Sequence, residues 1–293
     1  EMVRAGAGGR VADTGSGKRD HRDFALWKLA KPGEPSWESP WGDGRPGWHI
    51  ECSAMSLNHF GEQFDIHGGG HDLRFPHHEA EIFQSECCTG CEPVVGYWMH
   101  NGFVNVDGEK MSKSLGNFWT VREAFENHAP LALRYALLSV PYRNPIDLTP
   151  EFLQDAVIHY ERLVEAYSAS LSSDSDSGVD LSDYSQRFTD AMNDDFNTRA
   201  AIIEIQAIVS QNPGRDVASW FEKYAGDVLG LLPSSAEVLA GRAEAESARA
   251  DIADRVEFLL KERETARQTK NWDRADEIRD ELNSIGVIVE DGP

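Results

Sequence analysis

The sequence is poor in features that would place it in an extracellular or membrane class. It has four cysteines in 293 residues, and three of them lie close together at 87, 88 and 91. So few clustered thiols do not make a disulfide framework for a chain of this length. No apolar run is long enough to cross a membrane, and the N-terminus has no signal-peptide pattern. We therefore expect reduced thiols, a cytoplasmic protein and no membrane partner.

Lysine is also scarce, at eight residues against twenty arginines, while Asp and Glu total 50 and give a formal net charge of -22. A protein this negative repels nucleic acid, so composition alone argues against an RNA partner. The acidic residues are spread along the chain, and for that reason we favour adaptation to high salt, which screens long-range repulsion. Under that interpretation a local arginine patch can still bind phosphate.

Apolar periodicity predicts an α/β arrangement in the first part of the chain. The predicted elements are a short buried element at 24–29, an irregular loop at 31–47, a helix at 48–60, a strand at 63–67, a helix at 77–88 and strands at 94–99 and 102–106. The strand at 63–67 runs into three glycines, which allow a close backbone approach. In such sheets the ligand crevice lies at the strand ends, so we expect the site there.

From residue 121 onward strand patterns disappear and apolar residues recur at helical spacing. Residues 121–231 are predicted to form an antiparallel helical bundle. The small residues of 232–247 predict a linker. A helical hairpin with Trp272 on its apolar side follows, closed by a short strand at 287–289.

Three residues offer a zinc-like donor set. His77 and Glu81 are four positions apart and project from one face of a helix, while Cys52 comes from another helix. One sulfur, one nitrogen and one oxygen suit zinc, and they leave a fourth position for substrate or for a residue outside this chain. If these three residues are considered alone, the simpler interpretation is that Cys52 is a buried apolar residue and that His77 and Glu81 form a surface pair. The neighbouring glycine-rich and lysine-rich loops favour the metal.

Of two further motifs, a cysteine pair and a lysine-serine segment, only the second indicates a function. The C-x2-C of Cys88 and Cys91 has no second pair to complete a structural metal site, so we interpret it as a helix end with incidental thiols. The segment Lys110-Met111-Ser112-Lys113-Ser114 places two ammonium groups and two hydroxyls after a strand and a turn. Such groups can stabilise charge that develops during phosphoryl transfer.

The segment from Lys110 to Ser114 is identical to the KMSKS signature of class I aminoacyl-tRNA synthetases. Residues 47–55, 65–70 and 75–79 resemble cysteinyl-tRNA synthetase in particular. Later segments of the same resemblance are 133–135, 194–198 and 270–279. The resemblance runs from about residue 1 to the end of the chain, which is thereby identified as a member of the cysteinyl-tRNA synthetase family.

The resemblance implies a ligase that makes cysteinyl-adenylate from cysteine and ATP and transfers the cysteinyl group to tRNA-Cys. Zn²⁺ would bind the substrate thiol, and Mg²⁺ would accompany ATP. The implied site residues are Cys52, His77 and Glu81 for zinc, Trp48 for the amino acid, His67, Gly69 and Asp72 for adenosine, Lys113 for the ATP phosphates, and Lys110 and Lys113 as catalytic residues. A monomer is expected.

The resemblance also implies the fold class and the domains. We expect α/β, as the second half of a class I Rossmann-type catalytic domain, followed by an all-α helical bundle. The implied domains are 1–45 as an insertion remnant and connecting loop, 46–120 as the catalytic α/β half, 121–231 as the anticodon-binding bundle and 232–293 as the hairpin and strand. The family's HIGH motif and fourth zinc ligand are expected upstream of residue 1, so the chain is interpreted as a C-terminal portion.

Two other interpretations stay open. A related zinc-dependent ligase that joins cysteine to an amino sugar would share the catalytic motifs, although the helical region after 121 fits tRNA better. The chain by itself could also be an inactive fragment that binds zinc or tRNA. Cysteine-dependent tRNA charging, sugar ligation and pyrophosphate exchange distinguish these interpretations.

Overall fold

A computed structural model describes residues 23–106, 108–111 and 119–287 of the chain. It divides into two compact units, which are described separately. The N-terminal unit comprises Glu1–Val157 and Thr189–Ile202, and the C-terminal unit comprises Ile158–Phe188 and Ile203–Pro293. The boundaries of the units fall inside helices rather than at residue 121. The predicted division into functional regions stays a prediction.

The N-terminal unit begins with a small antiparallel hairpin. Strand β1 (Trp27–Leu29) pairs with β2 (Gly44–Pro46), with Lys28 opposite Arg45. Two predictions are wrong here. The element at 24–29 is not buried, since Leu29 is 65% exposed. The loop at 31–47 contains a strand, because β2 meets the edge of β1 through its backbone.

A helix–strand–helix–strand segment forms the centre of this unit. The elements are α1 (Trp48–Phe60), β3 (Phe64–Gly70), α2 (Glu79–Thr89) and β4 (Val95–Asn101). β3 and β4 are parallel, with Phe64 opposite Val95. Parallel neighbours need a crossover between them, and α2 provides it. The prediction of these four elements is confirmed, with shifted ends.

Two details of the centre differ from the sequence prediction. Helix α2 begins at Glu79 rather than at 77, because Phe75 is extended (φ -140°, ψ 134°) within the wide turn Arg74–His78. The strand β3 also continues through the three glycines instead of ending before them. His77 therefore lies in the turn that enters α2, and Glu81 lies in its first turn.

Short elements complete the N-terminal unit. A second sheet has the order β6 (Glu109–Lys110), β5 (Val104–Val106) and β7 (Ile146–Asp147), with β6 antiparallel and β7 parallel to β5. Helices α3 (Val121–Asn127) and α4 (Pro130–Leu138) lie between β6 and β7 along the chain. Thr120 caps α3 and receives a hydrogen bond from the Glu123 backbone N–H.

The C-terminal unit is built from helices around an apolar and aromatic core. Its helices, some of which begin or end in the other unit, are α5 (Pro150–Leu171), α6 (Ser182–Asn193), α7 (Thr198–Val209), α8 (Arg215–Phe221), α9 (Ser235–Gln268) and α10 (Trp272–Ser284). The core contains Tyr167, Phe188 and Phe221, each almost fully buried. Leu163, Ile205 and Ile208 are further buried side chains of these helices.

The end of the chain differs most from the sequence prediction. The predicted linker at 232–247 is wrong, because α9 is one helix of 34 residues that starts at Ser235. Its partner α10 completes the predicted hairpin around Leu259, Ile278 and Leu282. Trp272 is not part of that apolar core, since it is 57% exposed. The predicted strand at 287–289 lies outside the described residues except for Val287.

None of the helices in the described ranges combines the length and the apolar composition needed to span a membrane.

Candidate active site

Cys52, His77 and Glu81, which we call the Cys–His–Glu triad, converge in the N-terminal unit. Each offers one ligand atom, and these atoms all lie within 4.8 Å of one another. His77 Nε2 lies 2.8 Å from Glu81 Oε1. Helices α1 and α2, which supply Cys52 and Glu81, are linked beside the triad, where the Ser53 hydroxyl donates to Gln84 Oε1 at 2.8 Å. Helix packing therefore brings together three donors that are up to 29 positions apart in sequence.

The surroundings of the triad fit a metal ion. His77 and Glu81 are buried, at 4% and 5% exposure. Among the described residues, Glu81 Oε1 has no hydrogen-bond partner, although His77 Nε2 is 2.8 Å away. A buried carboxylate oxygen without such a partner costs free energy that a cation would offset. The donor set of sulfur, nitrogen and oxygen is one that zinc accepts.

Burial governs the protonation of the triad. Desolvation lowers the pKa of His77 against the opposing effect of Glu81, so its imidazole is neutral and keeps a lone pair at neutral pH. Burial also raises the pKa of the Cys52 thiol, and the charges of Glu81 and Glu51 raise it further. Without a cation the thiol therefore stays protonated. A bound cation would reverse that preference, because metals bind the thiolate.

Two neighbouring rings surround His77. The indole of Trp48 lies against it, with ring centroids 4.3 Å apart, and remains half exposed. His49 Nδ1 lies 2.7 Å from His77 Nδ1. Trp48 is the residue that the sequence resemblance implies for the amino-acid pocket, whereas no role was predicted for His49. No spacing rule indicates the His49 contact, because it joins residues 28 positions apart in different elements.

Glu81 also faces a second group of histidines. Its Oε2 lies 3.2 Å from His67 Nε2, and His67, His78 and Glu81 form another set of possible ligand atoms within 4.8 Å. His78 Nδ1 is in turn 2.8 Å from His100 Nε2. Burial is the main reason why the pKa of His78 falls to about 4. Of the two sets, the Cys–His–Glu triad is the better zinc site because it alone contains a thiol.

The glycine-rich strand end packs against this histidine group. A Cβ added at Gly69 would lie 2.9 Å from the ring of His78 and 3.0 Å from Leu73. The absence of a side chain at 69 therefore admits the His78 ring. Asp72 lies in the single helical turn His71–Leu73 that follows β3. Of the three residues assigned to adenosine from the sequence, His67 and Gly69 thus lie within β3, and Asp72 lies just after it.

The lysine motif can be placed only in part. Lys110 is the last residue of β6, next to β5. Lys113, which was assigned to the ATP phosphates, lies outside the described residues, as do Ser112 and Ser114. The roles predicted for Lys110 and Lys113 stay predictions.

Comparisons with known proteins show the family of the chain. The model of the tRNA synthetases class I (C) catalytic domain matches residues 1–158. The model of the cysteinyl-tRNA ligase anticodon binding domain matches residues 249–293. The chain is 48% identical over 291 residues to a cysteine–tRNA ligase of Laribacter hongkongensis, covering 98% of this chain and 62% of that protein. A cysteine–tRNA ligase of Shewanella sediminis is 46% identical to the chain. That match covers 100% of this chain and 63% of the other protein.

Among solved structures, the ternary complex of LeuRS, tRNA and LeuAMS from Agrobacterium radiobacter is similar at 19% identity and a TM-score of 0.46. That match covers 70% of this chain and 31% of the other. Against the curated relatives above, the chain spans about three fifths of their length.

Proposed function

We propose a function from one premise: this chain belongs to the class I cysteinyl-tRNA synthetase family. The protein that contains it activates cysteine with ATP and transfers the cysteinyl group to the 3′ end of tRNA-Cys. One observation carries the proposal, namely the convergence of Cys52, His77 and Glu81 within 4.8 Å in a chain of this family. Because the chain spans 62% of its relative's length, the activity of the whole protein is part of the proposal.

The triad is the proposed zinc site. When bound, zinc would supply a soft ligand position that takes the substrate thiolate and rejects serine, whose hydroxyl is a much poorer ligand. Cys52, His77 and Glu81 would hold the ion, and the half-exposed Trp48 would form the wall of the amino-acid pocket beside them. Neutral His77 is ready to bind without first losing a proton, since burial has lowered its pKa.

The proposed reaction has two steps. The carboxylate of cysteine attacks the α-phosphorus of ATP, and pyrophosphate leaves. The 3′-terminal ribose hydroxyl of the tRNA then attacks the activated carbonyl carbon, and AMP leaves. We assign His67, Gly69 and Asp72 to the adenosine. Lys110 and Lys113 would stabilise the charge that develops on the phosphates, together with the Mg²⁺ that accompanies ATP.

The fold proposed for this function is the second half of a Rossmann-type catalytic domain followed by an all-α helical bundle. The parallel pair β3–β4, joined through α2, supports the first part. The helices of the C-terminal unit support the second. Under this proposal, residues 121–231 and the hairpin of 232–293 bind tRNA, the enzyme works as a monomer, and it works in the cytoplasm.

The charge of the hairpin bears on how tRNA would be bound. Its arginines form ion pairs: Arg274 with Glu262 at 2.9 Å, Arg279 with Asp276 at 3.2 Å, and Arg255 with Glu281. Each pair is partly exposed, so its attraction is weak in water and is weakened further by salt. We infer that tRNA phosphates would compete with these carboxylates for the same arginines.

The proposal is tested on the complete gene product. We expect cysteine-dependent exchange of pyrophosphate into ATP, followed by charging of tRNA-Cys. Lys113→Ala should slow adenylate formation in a single turnover much more than it weakens cysteine binding. Ligation of cysteine to an amino sugar without tRNA charging would replace the proposal with the related ligase. An absence of both activities would reject it.

A further inference from the structure

His49 lies next to His77, one of the three residues of the proposed zinc site. Its Nδ1 lies 2.7 Å from His77 Nδ1, while the other ring nitrogen of His77, Nε2, faces Glu81 Oε1 at 2.8 Å. We propose that His49 is a positioning residue, which fixes the tautomer and the orientation of His77 for metal binding. This inference rests on the zinc site proposed above and adds a residue to it.

The role of His49 depends on which ring nitrogen of His77 carries the proton. A neutral imidazole carries its single proton on one of its two nitrogens. If His77 Nε2 binds a cation, that nitrogen must offer a lone pair, and the proton must be on Nδ1. At 2.7 Å, that Nδ1–H donates to Nδ1 of His49, whose own proton is then on Nε2. A metal-binding histidine usually donates its second N–H to a fixed acceptor in this way.

The surroundings of His49 make it a suitable fixed acceptor. It lies in α1 three positions before Cys52, so one helix supplies a ligand and the partner of another ligand. The ring of Phe24 meets its imidazole edge-on, with centroids 5.3 Å apart. The ring of Trp48 stacks near it at 5.8 Å. These two rings restrict rotation of the His49 imidazole and keep Nδ1 directed at His77.

Two replacements separate the hydrogen bond from simple packing. Asn places its amide oxygen as many bonds from Cα as His places Nδ1, and Gln places it one bond further. His49→Asn should therefore accept the proton of His77, whereas His49→Gln and His49→Ala should not. His59→Ala is the matched control, because His59 is an exposed histidine in the last turn of the same helix.

The experiment titrates the complete gene product with Co²⁺ and follows the visible absorption of the bound ion, with Zn²⁺ competition against a chromophoric chelator. We expect His49→Ala and His49→Gln to bind both ions about 10- to 100-fold more weakly than the unaltered protein. His49→Asn should recover most of that loss, and His59→Ala should bind normally. Far-UV circular dichroism establishes that each variant is folded. If His49→Ala does not fold, the comparison of folded His49→Asn with folded His49→Gln still tests the hydrogen bond.

Each contrary result has a distinct meaning. If the unaltered complete protein binds neither ion, the zinc site itself is rejected, and the role of His49 with it. If the complete protein binds and His49→Ala binds equally well, only the role of His49 is rejected. If His49→Asn is as weak as His49→Gln, the hydrogen-bond role is likewise rejected, because His49 would then act by filling space.

Discussion

Both units bury apolar side chains, but they differ in the polar side chains that they bury. Among the described residues of the N-terminal unit, four of the five buried polar residues lie between 77 and 85, and they include His77, His78 and Glu81. In the C-terminal unit the buried rings Phe188, Trp220 and Tyr224 pack on one another, with Phe188 and Tyr224 centroids 4.8 Å apart. Burying rings stabilises a fold, whereas burying imidazoles and a carboxylate costs free energy unless partners offset it. The difference indicates that the buried polar cluster of the N-terminal unit lowers the stability of the fold, whereas the buried rings of the C-terminal unit raise it.

The largest expected effect comes from removing a buried apolar side chain from the core of the C-terminal unit. Ile205 in α7 is fully buried, while Ile203 in the same helix is 58% exposed. Ile205→Ala should lower the free energy of unfolding by about 2–5 kcal/mol, because it removes packed methyl groups and leaves a cavity. Ile203→Ala should change it by less than about 0.5 kcal/mol. Urea unfolding of both variants measures the difference, and equal losses would contradict the assignment of the core.

The next largest effect is the loss of stability at low pH that the buried histidines of the N-terminal unit should cause. The folded pKa of His78 is about 4, below its ordinary value of 6.5, so between these values the unfolded chain binds a proton that the folded chain does not. Stability is therefore fully present above about pH 6.5 and is lost as pH falls toward 4, by up to about 3 kcal/mol. Burial lowers the pKa of His49, His77 and His100 as well, which adds to the same trend.

Urea unfolding of the metal-free protein between pH 7 and 4 measures this dependence. His78→Asn should flatten the slope, since it removes the group that must be protonated on unfolding. The exposed His59 provides the control, and His59→Asn should leave the slope as it is. A slope that survives His78→Asn unchanged would show that other groups cause the acid sensitivity.

A smaller effect concerns the triad itself. Cys52→Ala should lower the Zn²⁺ affinity by at least about 100-fold, roughly 2.7 kcal/mol, since a direct ligand contributes more than its supporting partners do. Cys87→Ala removes an exposed thiol from α2 and should have no effect. Competition with a chromophoric chelator measures both variants. Similar zinc affinity in Cys52→Ala and the unaltered chain would remove Cys52 from the site.

The smallest effect concerns the start of α9. The Ser234 hydroxyl accepts from the Glu237 backbone N–H at 3.3 Å, and the Glu237 carboxylate accepts from the Ser234 backbone N–H at 2.9 Å. Ser234→Ala should cost about 1 kcal/mol of stability because it removes this cap. Ser235→Ala, one position inside the helix, is the control and should be nearly neutral. If both substitutions shift the thermal midpoint equally, the helix does not begin at this cap.

Local sequence patterns predicted part of this structure. The helix–strand–helix–strand order of α1 to β4 could be predicted because apolar spacing and glycines mark each element. The juxtaposition of His77 and Glu81 followed from their spacing of four. The helix over 235–268 was missed because its first part is rich in small residues, although Ser234 and Glu237 are spaced as a capping box. That pattern could have predicted the helix start.

Contacts between distant residues could not be predicted in this way. The pair His49–His77 depends on how α1 packs against the turn before α2, and no local spacing records it. The burial of His78 under Gly69 likewise depends on tertiary packing. The exposure of Leu29 and Trp272 was mispredicted because their apolar character alone indicates burial. Local sequence patterns thus predicted the order of the elements better than the contacts between distant residues.

The most direct test of the central claim, that the triad holds a metal for the substrate thiol, is a titration of the Co²⁺-loaded complete gene product with cysteine and with serine. Our account predicts that cysteine strengthens the near-ultraviolet absorption typical of thiolate bound to cobalt, and that serine leaves the spectrum unchanged. The same titration with Cys52→Ala should lose this response. An unchanged spectrum with cysteine, or an equal response to serine, would contradict the account.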